Sequence, residues 1–319
     1  MMQFGLVGIG AGAAAALLFA SVTSGSFLSV FLFYLAPLPV MIAGLGWSHW
    51  AAMVAALTGS LAVGAIFGGV FFFAFIAGIG APAWWLTYLS ALARPVPAGT
   101  EGGQASLEWY PPGRLVLWAA ALGALVVIVA IPKFGWDAES FRSGLTAALS
   151  RMIRAEGSAG ETGVPSTSRL IELLVTVVPV AAGVIATVTN VVNLWLAGRV
   201  VKFSNRLAHP WPDVPAMSFP PLSAAALGAA VALSFTGGIV AVAASIVAAS
   251  LTVAYGVLGF AVLHTVTRGQ ASRPFLLGGI YASVIVFGWP VLMLALLGLV
   301  ETFFGVRSRI TARRGRPTV

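Results

Sequence analysis

Long apolar stretches that lack Asp, Glu, Lys and Arg dominate the sequence. The first covers residues 1–93, and four more follow at residues 115–132, 173–198, 214–267 and 274–300. A helix needs about 20 apolar residues to cross the hydrocarbon core of a bilayer. The first stretch therefore has room for four segments, the fourth for two and each of the others for one. This pattern predicts nine apolar segments.

The segments are predicted to be helices rather than strands. Stretches such as residues 13–18 and 294–297 are continuously apolar, whereas the strands of membrane barrels alternate polar and apolar positions. Within lipid, a helix satisfies every backbone amide inside its own segment. We therefore expect an all-α, polytopic membrane protein with eight or nine transmembrane segments, forming a single membrane domain over residues 1–319. Small, polar and proline residues place these segments near 4–22, 27–44, 49–66, 68–92, 115–132, 170–198, 219–236, 239–266 and 275–302.

The second segment leaves the number of crossings open. Pro37 and Pro39 remove two backbone donors, and each proline disfavours helical geometry in the residue before it. The stretch 27–44 is therefore predicted to be a broken or re-entrant helix. Eight and nine crossings both remain consistent with the pattern.

Composition supports a membrane protein and excludes several other classes. Hydrophobic residues make up 59% of the chain and charged residues 8%, against about 25% charged residues in a typical soluble domain. There is no cysteine, which excludes a disulfide scaffold. A soluble enzyme, a disordered protein and a nucleic-acid binder are excluded as well, despite the net charge of +8. The expected partners are the lipid bilayer and other membrane subunits, with no nucleic acid.

The distribution of Lys and Arg predicts the orientation. Five arginines lie in the tail after residue 306, and five Lys or Arg residues lie in the loop 133–169. The opposite side of the membrane would carry seven. Because positive loops stay in the cytoplasm, we expect a protein of the bacterial inner membrane with a cytoplasmic C-terminus. No Lys or Arg precedes the first segment, so no cleavable signal is expected.

The loop 133–169 carries an amphipathic pattern. Its apolar positions recur mostly three or four residues apart, at Phe141, Leu145, Leu149, Met152 and Ile153. Two interpretations are open for this cytoplasmic helix: a docking surface for a partner or for anionic lipid, and a linker lying on the inner leaflet. Two flexible spacers are also predicted. Residues 95–113 form the spacer before the segment 115–132, and residues 156–168 form the spacer after this helix.

Residues that could support catalysis are scarce. No acidic residue lies within an apolar stretch, and Glu172 and Glu301 lie only at segment edges. His49 falls in a turn and His209 in a loop, which leaves His264 alone near the end of a span. No metal-binding, nucleophile or nucleotide motif is present. We therefore expect no catalytic residues, no metal site, no cofactor and no enzymatic activity.

Small residues form a stripe on the first segment. Gly8, Gly12, Ala16 and Ala20 recur every four residues and so share one helix face, on which another helix can approach closely. The stripe predicts either packing within the chain or docking of another subunit at Gly8, Gly12 and Ala16.

Polar residues share a face of the sixth segment. Thr187, Asn190 and Asn193 follow one another at three-residue steps, after Pro179 interrupts the helix. They could line a cavity and bind a polar ligand, or form hydrogen bonds between helices.

The aromatic fourth segment carries Trp84, which is either part of an interfacial belt or a stacking partner for a ligand.

One short signature suggests a family. Residues 34–39 read Tyr-Leu-Ala-Pro-Leu-Pro, and residues 44–49 read Gly-Leu-Gly-Trp-Ser-His. In these residues, and in its apolar pattern, the chain resembles the bacterial YybS-like predicted membrane proteins, the domain of unknown function 2232. That family is similar in helical pattern to the substrate-binding S components of energy-coupling-factor transporters. The resemblance implies that Gly8, Gly12 and Ala16 match the stripe by which S components dock onto their coupling subunit.

Two functions from different classes follow from these observations. The first is an S-component-like inner-membrane subunit that binds or transports a small molecule or lipid. The second is a non-transporting scaffold or envelope-assembly protein. A binding protein should enclose a cavity lined from several helices, including Asn190, Asn193 and Trp84. A scaffold should be packed solid and expose its small-residue stripe.

Overall fold

The computed structural model describes residues 2–96, 106–155 and 165–314, and these are almost entirely helical. The apolar N-terminal part forms α1 to α6, at Met2–Ala20, Phe27–Tyr34, Pro37–Gly46, His49–Phe67, Gly69–Phe75 and Ala81–Ser90. The rest forms α7 to α14, at Pro112–Ala130, Ala138–Ala155, Pro165–Phe203, Pro221–Leu233, Gly238–Val266, Arg273–Phe287, Pro290–Phe304 and Val306–Arg314. The expected helical class is confirmed.

Several helical stretches are long and apolar enough to cross a membrane. Within the described residues there are seven: Gln3–Ser24, Phe27–Gly46, His49–Phe67, Gly69–Ser90, Pro112–Lys133, Arg169–Phe203 and Gly238–Val266. The predicted segments 219–236 and 275–302 correspond instead to shorter helices. The 13 residues of α10 rise about 20 Å, less than the roughly 30 Å of hydrocarbon. The total of eight or nine crossings therefore stays a prediction.

Proline and glycine divide two of the predicted segments. The second consists of α2 and α3, with Pro37 at the start of α3, where a missing N–H costs little. Ala36 keeps helical backbone angles, so the two helices continue as one stretch. The last segment breaks more completely, because Gly288 has a positive φ of 71° and Pro290 begins α13.

A short β-hairpin replaces part of a predicted spacer. Strand β1, Ala93–Val96, pairs antiparallel with β2, Ser106–Trp109. Arg94 lies opposite Glu108, and its Nε is 2.7 Å from Glu108 Oε2. The predicted spacer 95–113 is therefore wrong at both ends, because β1 extends into its start and α7 begins before its end. The residues that join the strands lie outside the described part of the chain.

The chain divides into two compact units. Unit 1 comprises residues 1–119 and 188–218, and unit 2 comprises residues 120–187 and 219–319. The single membrane domain expected from the sequence stays a prediction.

Unit 1 is built on close packing of small residues. Helix α1 lies along α4, where Ala51, Ala52 and Ala55 are fully buried. Gly59 of α4 faces the ring of Phe75, a contact that a Cβ would obstruct at 2.7 Å. Because lipid tails are as apolar as side chains, such close van der Waals contact is a main source of helix association in a membrane.

Unit 2 centres on α11, which packs against α13 through glycine. A Cβ on Gly256 would stand 2.8 Å from Val291, and a Cβ on Gly259 would overlap the carbonyl of Leu294. The Tyr255 hydroxyl is fully buried and lies 2.7 Å from Ser223 Oγ of α10. Small residues and one buried hydrogen bond therefore hold this helix in place.

The predicted amphipathic helix exists as α8. Phe141 and Leu145 are buried in a cluster with Ile246 and Ala124, so the apolar face packs on helices of its own unit. Met152 is 63% exposed and does not belong to that buried face. The predicted spacer 156–168 is described only for its last four residues, which form the first turn of α9.

Candidate functional site

The predicted polar face of α9 lies inside the protein. Thr187 is fully buried and donates to Gly183 O at 2.8 Å, within its own helix. It packs against Gly123 of α7, on which a Cβ would stand 2.7 Å from Thr187 Oγ1. Thr187 therefore contributes to a close helix contact.

The two asparagines of this face bind backbone carbonyls of other helices. Asn190 Nδ2 donates to Ala119 O at 3.3 Å, and Asn193 Nδ2 donates to Tyr34 O at 2.9 Å. Both side chains are at least 96% buried. Asn193 Oδ1 is buried without a hydrogen-bond partner in the part of the chain that the structure describes. The contacts correspond to the interhelical alternative, and a ligand role for Thr187, Asn190 and Asn193 stays a prediction.

Trp84 lies in a cluster of aromatic rings along α6. Its ring stacks on Tyr88 at 6.0 Å between centroids and contacts Trp85 at 5.9 Å. Trp85 in turn meets Trp118 of α7 at 5.5 Å. The structure brings Trp84 together with other rings rather than with Asn190 and Asn193. Its predicted role in ligand binding stays a prediction.

The small-residue stripe of α1 is covered by the chain itself. Gly8, Gly12 and Ala16 are buried, and a Cβ on Gly8 would stand 2.7 Å from Val54. A second subunit could reach this face only by displacing α4. The structure uses the stripe for internal packing, and docking of a partner at Gly8, Gly12 and Ala16 stays a prediction.

A cavity that the sequence analysis missed lies at one end of unit 1. Its volume is about 400 Å³, within the usual range of ligand sites. The end of α6, the β2–α7 junction and the loop after α9 contribute its walls. We call it the aromatic cleft, and it is lined by Ser90, Trp109, Tyr110, Pro111, Pro112, Gly113, Leu115, His209, Pro210, Trp211, Pro212, Asp213, Ala216, Met217 and Ser218.

The walls of the aromatic cleft come from two segments that share a composition. Residues 109–112 read Trp-Tyr-Pro-Pro, and residues 209–212 read His-Pro-Trp-Pro. The rings of Trp109 and His209 meet at 5.4 Å. Proline fixes backbone angles and aromatic rings supply large flat surfaces. Two such segments close to the ends of long apolar helices were the signal that could have indicated a site.

Trp211 attaches one wall of the cleft to the last turns of α9. Its indole lies on Gly198, where a Cβ would stand 3.4 Å from the ring. Lys202 Nζ lies 5.0 Å from the ring centroid and Arg199 Cζ lies 5.6 Å from it. Both distances are typical of cation–π contacts. Two cations of α9 therefore contact the Trp211 ring, although neither lines the cleft itself.

The cleft also presents hydrogen-bonding groups. Tyr110 Oη accepts from Trp118 Nε1 at 3.1 Å, which leaves the phenolic proton of Tyr110 to donate elsewhere. His209 Nδ1 lies 2.9 Å from Pro210 O, and its Nε2 has no hydrogen-bond partner in the part of the chain that the structure describes. Ser90 Oγ donates to Thr87 O at 2.8 Å and keeps its lone pairs for another donor.

Charged residues lie in and around the aromatic cleft. Arg114, Arg199, Lys202 and Arg206 are exposed, and none forms an ion pair within the described residues. Arg206 lies over Trp47 at 4.6 Å. Asp213 lines the cleft, and Glu108 is paired with Arg94. None of the four cations is among the residues that line the cleft.

The described residues contain no group of three His, Asp or Glu side chains that could hold a metal ion. Comparison with protein-family models, with curated proteins and with solved structures finds no match to this chain. The resemblance to the YybS-like family therefore stays a prediction, and function has to be argued from the site.

Proposed function

We propose that this multi-pass membrane protein is a binding subunit, with the aromatic cleft as the place where a small molecule or lipid is held. The observation that carries the proposal is the cleft itself, which several segments of unit 1 build from rings, hydroxyls and an imidazole. A cavity with an apolar lining and a few convergent polar groups is the usual form of a ligand site.

Such a binding subunit would act in transport together with partner subunits. It would resemble an S component in binding its ligand at the membrane and in requiring a coupling subunit. The closure of the α1 stripe by α4 argues that the coupling partner would bind elsewhere than at Gly8 and Gly12. Nothing in this role requires catalysis, and we propose none.

The scaffold alternative has one observation in its favour. Helix α12 contains no buried residue, and Phe275, Ile285 and Val286 are each at least 70% exposed. A partner helix could cover this surface, but so could lipid. The presence of a cavity and the burial of the α1 stripe both support the binding subunit, whereas Asn190, Asn193 and Trp84 do not line this cavity.

We place the protein in the bacterial inner membrane with its C-terminus in the cytoplasm. Arg307 and Arg309 of α14 follow the last apolar helix, and positive segments stay on the cytoplasmic side. A C-terminal green fluorescent protein fusion should fluoresce, and a C-terminal alkaline phosphatase fusion should be inactive. The opposite pair of results would reverse the orientation.

Native mass spectrometry of the protein released from gentle detergent tests the binding function. Wild type should retain a bound molecule, which Ala216→Trp should lose because the indole would fill the cleft from an exposed position. Ala147→Trp, on the exposed side of α8, is the matched control and should retain it. Wild type without any bound molecule, or equal retention in Ala216→Trp, would contradict the proposal.

A further inference from the structure

The lining of the aromatic cleft offers an ionic ligand little to pair with. Asp213 is the one carboxylate among the described residues of the lining, and it already has an interaction partner. No Lys or Arg is found among those same residues. A buried charge is costly unless it is paired. The lining therefore fits a neutral ligand better than an anion or a cation.

Aromatic rings form much of the wall. Trp109 and Tyr110 come from the β2–α7 junction, and His209 and Trp211 come from the loop after α9. The ring of Trp109 meets that of His209, and the ring of Trp211 rests on Gly198, so contacts on the protein hold both indoles. The face of an aromatic ring is electron-rich and attracts C–H groups, which are slightly positive. These walls suit a ligand ring whose faces carry C–H groups.

Uncharged hydrogen-bonding groups stand among these rings. The phenolic proton of Tyr110 remains available, because the Tyr110 oxygen accepts from Trp118 Nε1. Ser90 Oγ donates to Thr87 O and can still accept, and His209 Nε2 has no hydrogen-bond partner within the described residues. A hydroxyl group satisfies such a mixture because it both donates and accepts. A purely apolar ligand would leave these groups unpaired, which costs binding energy.

The size of the cleft limits the ligand further. Its volume of about 400 Å³ lies near the lower end of the range of small-molecule sites, about 300–1,000 Å³. A unit of one or two rings fits this space, whereas an extended peptide would exceed it. A compact ring that combines C–H faces with hydroxyl groups at its edge has the chemistry of a sugar.

We infer that the aromatic cleft binds a neutral sugar ring, whose C–H face packs on Trp109 or Trp211 and whose hydroxyls bond to Tyr110 and Ser90. This inference rests on the proposed binding function and specifies its ligand class. The same ring occurs in a free sugar and in the uncharged head of a glycolipid, and the test distinguishes these two sources.

The test uses the full-length protein in lauryldimethylamine oxide, a detergent without sugar, and native mass spectrometry. The probes are monoglucosyl- and monogalactosyldiacylglycerol, the free methyl glycosides of both sugars, and phosphatidylglycerol with the same acyl chains. At least one sugar probe should bind as one molecule per chain, about tenfold more tightly than phosphatidylglycerol. Its affinity should change less than about twofold between 0.1 and 0.5 M ammonium acetate, because salt screens only interactions between charges.

Three variants separate stacking from hydrogen bonding. Trp109→Leu keeps an apolar side chain but removes the ring, and it should weaken sugar binding about tenfold, whereas Trp109→Phe keeps a ring and should lose about threefold or less. Tyr110→Phe keeps the ring but removes the hydroxyl and should weaken binding several-fold. The matched control is Trp50→Leu, at a 58% exposed position of α4 that does not line the cleft, and it should bind like wild type.

The outcomes separate the ligand class from the binding function. Tighter binding of phosphatidylglycerol than of every sugar probe, or equal sugar binding by wild type and Trp109→Leu, would overturn the inference. A molecule that co-purifies with wild type and is lost in Ala216→Trp, in a protein that binds no sugar probe, would leave the binding function standing and refute the sugar class. Binding of a glycolipid without its free glycoside would support the inference with a lipid as the source. Similar binding of both would support it with the sugar ring alone as the ligand.

Discussion

Gly12 of α1 lies against the backbone of Ala55 in α4, so closely that a Cβ on Gly12 would stand 2.5 Å from the Ala55 carbonyl oxygen. The same Cβ would stand 2.7 Å from Cβ of Thr58. Backbone cannot move aside as a flexible side chain can. The two helices therefore require glycine at this position.

Gly12→Leu should destabilise the protein because the new side chain has to push α1 away from α4. Overpacking of a close contact costs typically 1–3 kcal/mol, and here the obstructing atom is backbone. We expect a lower melting temperature in detergent and a lower yield of monodisperse protein. Loss of a partner in Gly12→Leu would consequently report damage to α1 and not a docking site.

Gly10→Leu is the control for this change. Gly10 lies on the same helix, and a Cβ there would meet nothing within 4 Å. Leucine is also a better helix former than glycine. Gly10→Leu should therefore melt at or above the temperature of wild type. Equal melting of the two variants would contradict the packing of α1 on α4.

The hydrogen bond from Asn193 to Tyr34 O should contribute measurably to stability. Asn193→Leu removes the donor and leaves the Tyr34 carbonyl without it, a change that costs about 1 kcal/mol for a typical buried hydrogen bond. Interhelical hydrogen bonds measured in membranes average about 0.6 kcal/mol. We expect a small fall in melting temperature with unchanged retention of the molecule bound in the aromatic cleft.

Ser204→Ala serves as the comparison for Asn193→Leu. Ser204 is exposed, follows α9 directly and donates its hydroxyl only to Val200 O in the last turn of that helix. Its loss should leave the melting temperature unchanged. If Asn193→Leu melts like wild type but loses the bound molecule, the predicted ligand role of Asn193 would be correct and its structural role minor.

Most of the long apolar helices could be predicted because the membrane imposes a simple rule. A stretch of about 20 apolar residues without charge has few other stable conformations in lipid. At Gly288 and Pro290, which lie two residues apart, the apolar stretch does not form one helix but divides into α12 and α13. The sequence showed Pro290, but the positive φ at Gly288 is a property of the folded backbone.

The aromatic cleft could not be predicted because it depends on contacts between distant segments. Trp109 and His209 stand far apart in the sequence, and their rings meet only once α7 and α9 are in place. The cavity predicted at the polar face of α9 was suggested by local periodicity alone. Periodicity shows that Asn190 and Asn193 share a face, but it cannot distinguish a cavity from the backbone of a neighbouring helix.

Acidification should loosen the start of α8. The hydroxyl of Ser140, and the amides of Ser140 and Glu139, hold the pKa of Asp137 below its usual value. A carboxyl with a lowered pKa in the folded state contributes stability above its unfolded pKa, near 3.8, and loses it as the pH falls through the lowered folded value. Hydrogen exchange at Glu139 and Ser140 should therefore lose protection in that range.

Asp137→Asn removes the negative charge at the start of α8 but keeps a side chain that can cap the helix. Asparagine also accepts hydrogen bonds at the start of a helix, so protection near neutral pH should persist while its dependence on acid disappears. Asp137→Ala should reduce protection at every pH. If wild type and Asp137→Asn respond identically to acid, Asp137 does not control this helix start.

Trp211 should fix the loop after α9 to the helix. Trp211→Ala removes the ring that Arg199 and Lys202 cover, and with it cation–π contacts of about 0.5–1 kcal/mol each at exposed sites. The peptide bonds after Lys202 and Arg206 should then open more often to protease. We expect limited trypsin digestion at these two sites to accelerate several-fold.

The control for Trp211→Ala is Trp136→Ala. Trp136 is 82% exposed and lies just before α8, in unit 2. Its removal should leave cleavage after Lys202 and Arg206 at the wild-type rate. If Trp211→Ala is also cleaved at that rate, the ring does not hold the loop, and the wall of the aromatic cleft must be supported by its prolines alone. Faster cleavage together with loss of the bound molecule would instead connect the order of the loop to ligand binding, because both depend on the same indole.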